Sequence, residues 1–257
     1  IDMPTRFVDF MRVLVPMAGD DTTPEGEQVN IYGNHVGSWN FAATAYLNRW
    51  KVKIYYEHYF DDHSQMFFQY GRWKDGHIGL EITFPKNRFI DTFVYEGLGT
   101  KDQTGPMLYD SFWGKFEEQI SAKDNYYNHY LYQGWQHWGM GIGNPLLPGP
   151  IYNKNGQITF ISNRVLAHHI GFCGSPCQSL SYRMLLSYSR HWGTYDNPLN
   201  EIKKQFNSLF EVTYAPQQLK GWSFTVSGAM DRGSILGNNY GGMLVIRKQG
   251  IIKSGNK

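Results

Sequence analysis

Charge is scarce in this chain. Only 18% of its 257 residues are Asp, Glu, Lys or Arg, and 24 basic against 22 acidic side chains leave a net charge of +2. A nucleic-acid partner calls for a basic patch or stripe, so the composition argues against nucleic acid. Cysteine is scarcer still. Cys173 and Cys177 are the only two, so disulfides cannot be the scaffold. Long hydrophobic runs are missing as well. Nothing approaches the ~20 apolar residues of a spanning helix, and mean hydropathy is −0.47. That absence removes helical spans and leaves strands untouched, because a β-barrel hides its lipid face in alternation. No G-x-S-x-G, H-E-x-x-H, phosphate-binding loop or dinucleotide fingerprint occurs, and there is no internal repeat. The chain begins at Ile1 without a charged-then-apolar leader, and so reads as a processed chain or a fragment.

What the sequence does have is aromatic rings, 16% of its residues, and a period of two. In "WKVKIYYEHYF", Trp50, Val52, Ile54, Tyr56, His58 and Phe60 share one face, and Lys51, Lys53, Tyr55, Glu57 and Tyr59 the other. "SLSYRMLLSYSR", "WSFTVSGAM" and "GLEITF" alternate in the same way. Strict alternation means strands with one apolar and one polar face. The pattern predicts about ten strands, over 6–16, 35–48, 50–61, 76–84, 89–99, 161–172, 178–191, 207–215, 221–231 and 240–248.

The connections 48–49, 85–88, 173–177 and 216–221 are short. Those at 17–34, 62–75, 100–160, 192–206 and 232–239 are longer. Outer-membrane barrels sort their loops in this way, with short periplasmic turns and long extracellular loops. Trp39, Trp50, Tyr56, Phe60, Phe84, Phe89, Tyr188, Trp192, Trp222 and Tyr240 fall near strand ends, where amphipathic rings form the girdles of such barrels. The expected fold is therefore all-β: a transmembrane, antiparallel, up-and-down barrel. It forms a single domain over 1–257, with both chain ends periplasmic and the 100–160 loop extracellular. Lys51, Lys53, Glu57, Glu81 and Arg183 would then face a polar lumen.

Within the longest loop lies "DNYYNHYLYQGWQHWGMGIGNPLL", Asp124 to Leu147. Its rings, amides and carboxylate suit a sugar, with ring faces stacking on C–H faces and polar groups bonding hydroxyls. Asp124, Asn125, Tyr126, Tyr127, Asn128, His129, Trp135 and Trp138 are the candidate carbohydrate-binding residues. The alternative is that the rings fold the loop onto itself as a plug. His168 and His169 must point to opposite faces of one strand, so they cannot chelate one metal; no metal or cofactor is expected. Asp20 with Asp21, and Asp61 with Asp62, are the paired carboxylates an enzyme would need. As acidic loop tips they read as solvated, and no enzyme is expected. Cys173 and Cys177 flank a Gly-Ser-Pro turn and could close a disulfide clip across a hairpin.

The segments "IYGNHVGSWNF", "DNYYNHYLYQGW", "MGIGNPL", "NRVLAHHIGF" and "GWSFTVSGAMDRGSILGNNYGGMLVIRKQG" resemble the capsule assembly Wzi family as found in Bacteroidetes. The resemblance implies an outer-membrane barrel of about eighteen strands, of which this chain would be the C-terminal part. It implies a lectin-like role in assembling or anchoring capsular polysaccharide on the cell surface, with outer-membrane lipid and other envelope proteins as further partners. The chain departs from the family in lacking the periplasmic helical part and in ending on the basic tail "QGIIKSGNK". The alternative function is a channel or accessory barrel of an envelope complex, with the aromatic loop as plug or docking surface.

Overall fold

A computed structural model describes residues 5–15, 17–23, 28, 35–61, 75–103, 105, 123–129 and 134–250. Its strands, in chain order, begin with β1 (Val36–Leu47), β2 (Trp50–Asp61), β3 (Gly76–Thr83) and β4 (Thr92–Gly99). A small hairpin follows, β5 (Gln136–His137) with β6 (Met140–Gly141). Then come β7 (Val165–Cys177), β8 (Leu180–Gly193), β9 (Pro198–Tyr214), β10 (Trp222–Gly233) and β11 (Asn239–Lys248). All but the small hairpin form one nine-stranded sheet in the order β1-β2-β3-β4-β7-β8-β9-β10-β11. Every neighbouring pair is antiparallel. The fold is all-β, and the chain meanders up and down through its sheet.

The sequence placed a strand at 6–16, and the structure corrects it to a helix, α1 (Phe7–Leu14). The reason is local. Phe7, Phe10 or Met11, and Leu14 recur at helical spacing. Arg6 and Asp9 also form a reciprocal cap, with the Arg6 amide donating to the Asp9 carboxylate at 3.1 Å and the Asp9 amide to the Arg6 carbonyl at 3.0 Å. Arg12 reaches Asp9 from one turn on, at 3.5 Å. The correction changes the topology. Without a strand at 6–16, the chain joins β1 at the long-loop end and leaves β11 at the short-turn end, so the two ends of the sheet's chain lie on opposite sides.

The loop sorting is also weaker than expected. The segment 192–206 reads as a loop because Asn200, Glu201, Lys203 and Lys204 crowd it with polar side chains. Instead, β9 already runs from Pro198, pairing Lys203 with His191 and Lys204 with Arg190, and only 194–197 connects β8 to β9. The length difference between the two ends rests on the connections after β2 and after β4.

Register assigns each side chain to a face. The apolar face carries Trp39, Phe41, Ile54, Ile78, Ile170, Phe210, Val226 and Leu244, which the pairing brings to one side. This face is not the buried one. Ile54 is 55% exposed, Phe210 50% and Leu244 64%. Its rings gather at two levels. Trp39 lies near Phe60 (6.2 Å) at the long-loop end, and Trp50 near Phe84 (5.0 Å) and Trp222 near Phe224 (6.3 Å) at the short-turn end. The opposite face is polar, with Lys51 paired to Glu81 (3.6 Å) and Arg183 to Glu211 (3.1 Å). The small hydrophobic core sits on this polar face, at its long-loop end. There Val165 and Ala167 meet Tyr127, Leu147 and Phe160 of the long connection, with Leu98 and Val36 beside them.

One close approach fixes the middle of the polar face. Tyr55 pairs with Gly79, and its ring lies where a side chain would be: a Cβ on Gly79 would come within 2.0 Å of Tyr55 Cζ. Gly79→Ala should displace that ring and cost about 1–3 kcal/mol, as overpacking does. Gly228→Ala, with open space around the new Cβ, should leave the unfolding midpoint nearly unchanged. Equal midpoints for the two variants in a denaturant titration would contradict the packing.

Candidate functional site

The long connection after β4 folds back over the polar face and is clamped there by a buried network. Thr100 donates its hydroxyl to the Asn163 carbonyl (2.7 Å), and the Val165 amide donates to Thr100 Oγ1 (3.1 Å). The Asn163 amide donates to Asn125 Oδ1 (2.6 Å) and to the Tyr126 carbonyl (2.9 Å). At the start of β3, Asp75 accepts the backbone amides of Asp102 (2.9 Å) and Gln103 (2.5 Å). Burial pushes the Asp75 carboxyl above its usual range although both amides pull the other way. The two donors offset part of the cost of burying the carboxylate, and the loop's first turn is fixed to the sheet.

The eight candidate sugar-binding residues divide into inward and outward sets. Asn125 and Asn128 use their amides inside the loop. Asn128 Nδ2 donates to Asn125 Oδ1 (2.9 Å) and to the Phe160 carbonyl (2.9 Å), and the Phe160 amide donates to Asn128 Oδ1 (2.8 Å). Tyr126 and Tyr127 are buried. The Tyr127 ring packs edge-on to Phe160 at 5.0 Å, and its hydroxyl donates to the Ile142 carbonyl at 2.6 Å. Asp124 is held by its backbone amide, which donates to the Gln103 carbonyl at 3.2 Å. His129 is half-buried, and burial with repulsion from His35 pushes its pKa down. Trp135 stacks near Tyr127 at 6.5 Å. Trp138 alone projects, 85% exposed, at the tip of the β5–β6 hairpin. Much of the segment is therefore the loop's own scaffold.

Between loop and sheet a cleft remains. One cavity of about 390 Å³ is lined by Glu57, Tyr59, His77, Glu96, His169 and Asn144, among others. A second, about 230 Å³, shares Glu57, Tyr59 and Asn144 with the first and continues under Tyr126, Tyr127 and Trp135. Register creates the polar floor. Glu57 pairs with His77, Glu96 with His169 and His169 with Ser187. Ser38 Oγ donates to Glu57 Oε1 (2.6 Å), His77 lies between Glu57 (3.8 Å) and Glu96 (3.4 Å), and His169 Nδ1 shares a proton with Ser187 Oγ (2.7 Å). Tyr55, held over Gly79, donates its hydroxyl to Glu96. The sequence placed Tyr55, Glu57 and Tyr59 on one polar face and singled out neither His77 nor Glu96. The floor residues come from different strands, and only pairing register brings them into one row.

Other expectations resolve plainly. His168 and His169 do point to opposite faces, His168 bonding Tyr95 OH on the apolar side at 2.8 Å. Asp20 is a structural carboxylate. Thr22 and Arg12 hold its pKa well below the usual range, and Arg12 Nη1 lies 2.8 Å from it. The Asp61 side chain and Asp62 lie outside the described residues. The possible Cys173–Cys177 clip is not formed, and both are free thiols. Strand β7 continues through Cys177 and the turn falls at 178–179, so the two cysteines follow one another along a strand instead of facing across a hairpin. Among the described residues no three His, Cys, Asp or Glu side chains converge as metal ligands, and no helix is long and apolar enough to cross a membrane.

No family model, curated protein or solved structure matches the chain.

Two outcomes test this geometry. Trp138 (φ 53°) and Gly139 (φ 79°) are both left-handed, the requirement of a type I′ hairpin turn, which favours Asn over a bulky ring. Trp138→Asn should therefore stabilise the hairpin by about 1 kcal/mol, read as slower proteolysis within 134–143. His129 gives a pH dependence. Its folded pKa lies below the ordinary 6.5, so the unfolded loop binds the proton more readily. Docking is strongest above pH 6.5 and weakens as pH falls through that value. Tryptophan fluorescence should report this loosening on acidification, and His129→Asn should flatten the response.

Proposed function

We propose that the chain forms the wall of an outer-membrane β-barrel. Its infolded loop binds surface polysaccharide and so helps assemble or anchor the capsule. The observation that carries the reading is the polarity of the sheet. The apolar face is exposed along the strands, while the polar face is the one the loop covers. A water-soluble sheet would do the reverse, since an uncovered apolar face of this extent is unfavourable in water. Lipid is the solvent that suits it, with Trp and Tyr at both ends of the strands as interfacial girdles. In that setting the nine strands are part of a larger barrel, and the long connections face outward.

The sugar assignment rests on the cleft and the hairpin tip. The cleft joins hydroxyl-bonding side chains with ring edges and faces. The tip offers one indole face. Each contact is weak alone, and a repeating polymer can engage both, on one copy or on many neighbouring copies, so avidity does the rest. A second reading draws on the loop's internal bonds. Asn125, Asn128 and Tyr127 are committed to folding the segment, as a plug would require, and the barrel would then serve a neighbouring envelope complex. Stable conductance in planar bilayers, indifferent to capsule polymer, would favour that reading over the first.

Two experiments test the proposal. Arg at Ile54 or Phe210, mid-strand on the apolar face, should destabilise the inserted protein by about 2–4 kcal/mol and deplete it from the outer membrane. Arg at Ala229, exposed on the polar face, should be tolerated. The reverse pattern would sink the membrane assignment. Trp135→Ala with Trp138→Ala should reduce capsule retention severalfold while the protein still inserts. Full retention by an inserted double variant would remove this loop as the binding surface.

A further inference from the structure

The cleft floor has a charge character that goes beyond general sugar binding. Resting on the polysaccharide reading above, we propose that the cleft selects a sugar unit carrying a protonated primary amine, and disfavours both N-acylated and acidic sugars. Glu57 and Glu96 both line the 390 Å³ cavity. That volume falls in the ordinary range of small-ligand sites, about 300–1,000 Å³. Among the described residues no Lys or Arg lines this cavity or the one that continues it. The nearby lysine on β2, Lys53, leans instead over the Tyr55 ring at 5.1 Å. Two carboxylates thus face a cavity whose basic lining side chains, among the described residues, are the imidazoles of His77 and His169.

The hydrogen bonds show what is still available. Glu96 Oε1 takes both of its contacts, the Tyr55 hydroxyl and His77 Nε2. Oε2 has no partner among the described residues. Glu57 is more committed: Oε1 accepts from Ser38, Oε2 faces His77 at 3.8 Å, and Tyr59 also bonds the carboxylate. An ammonium group brings three donors and no acceptor, and it fits a site rich in oxygen acceptors and short of fixed cations. A charge-assisted bond to Glu96 Oε2 would be the strong contact. An N-acyl group offers a single neutral N–H there and leaves the two carboxylates with only the His77 imidazole between them. A uronate adds a third negative charge to a partly enclosed space. The apolar part of the lining, Leu98, Pro145, Leu146 and Ala167, suits the C–H face of the same ring.

The test is a titration of the detergent-solubilised full chain with three probes: a glucosamine tetramer, its N-acetylated counterpart and a galacturonate tetramer. Heat release and tryptophan fluorescence are the readouts. The glucosamine tetramer should bind at least tenfold more tightly than the N-acetylated one, and the galacturonate tetramer more weakly than either. The preference should shrink as salt is raised. It should collapse in Glu96→Gln and fall in Glu57→Gln, while both variants still bind the N-acetylated probe, which also shows that they are folded. Equal or tighter binding of the N-acetylated or galacturonate tetramer overturns the charge selection and leaves the polysaccharide reading standing. A preference unchanged in both Gln variants also overturns it, by moving the selectivity to other residues. If no probe binds while cells still retain capsule through Trp135 and Trp138, the cleft is not the site. If retention is also independent of those tryptophans, the polysaccharide reading itself falls.

Discussion

Register governs the polarity of this protein, and polarity governs where everything else can go. With a period of two, a single pairing offset would carry Ile54, Phe210 and Leu244 to the other face. Eight consecutive antiparallel pairings keep the two faces apart across the sheet, so Ile54, Phe210 and Leu244 share one side and Glu57, Glu96 and Glu211 the other. The long connection then has one place to dock. The polar face turns apolar at its long-loop end, where Leu98, Val165 and Ala167 lie side by side. Tyr127, Leu147 and Phe160 seat there. One step further along the strands the floor changes to Glu57, His77, Glu96, His169 and Ser187. The loop cannot bury those without leaving charge unpaired, and a cleft is the result.

The loop stores strain to hold this position. Tyr127, Trp135 and Trp138 all have positive φ, at 72°, 54° and 53°, a conformation that bulky residues rarely adopt. For Tyr127 the compensation is visible in its ring packing and its bond to the Ile142 carbonyl. Trp135 packs beside it. Among the described residues Trp138 has no comparable return, being 85% exposed with only His137 edge-on at 6.0 Å. A strained residue persists where surrounding structure or selection for function keeps it. For Trp138 the surrounding described structure supplies little.

Strands were legible because alternation is a local signal. "WKVKIYYEHYF" carries its own face assignment, and β2 runs where it should. α1 was misread because Phe7, Val8, Phe10 and Met11 satisfy a crude apolar count, while the deciding feature is the Arg6–Asp9 reciprocal cap. The first half of β9 was missed for the opposite reason. Glu201, Lys203 and Lys204 obscure the alternation, and only pairing to His191 and Arg190 extends the strand. The aromatic loop was conspicuous by composition, but composition could not separate scaffold rings from free ones. Asn125 and Asn128 look like sugar ligands in the sequence, yet their amides bond Asn163 and Phe160, residues over thirty positions away. The cleft floor was illegible for the same reason: Glu57 and Glu96 meet through His77, and nothing local to either announces the other.

The division between inward and outward rings bears on how a polymer would be held. Tyr126 and Tyr127 shape one wall of the cleft, and Trp138 stands apart from it at the hairpin tip. A short oligosaccharide can occupy the cleft without reaching the indole. A long chain can do both, and gains the second contact at the cost of linker entropy alone. Removing Trp138 should therefore weaken polymer more than oligomer, whereas neutralising Glu96 should weaken an amino-sugar polymer and its oligomer alike. The ratio of the polymer and oligomer affinities reports whether tip and cleft act on one ligand.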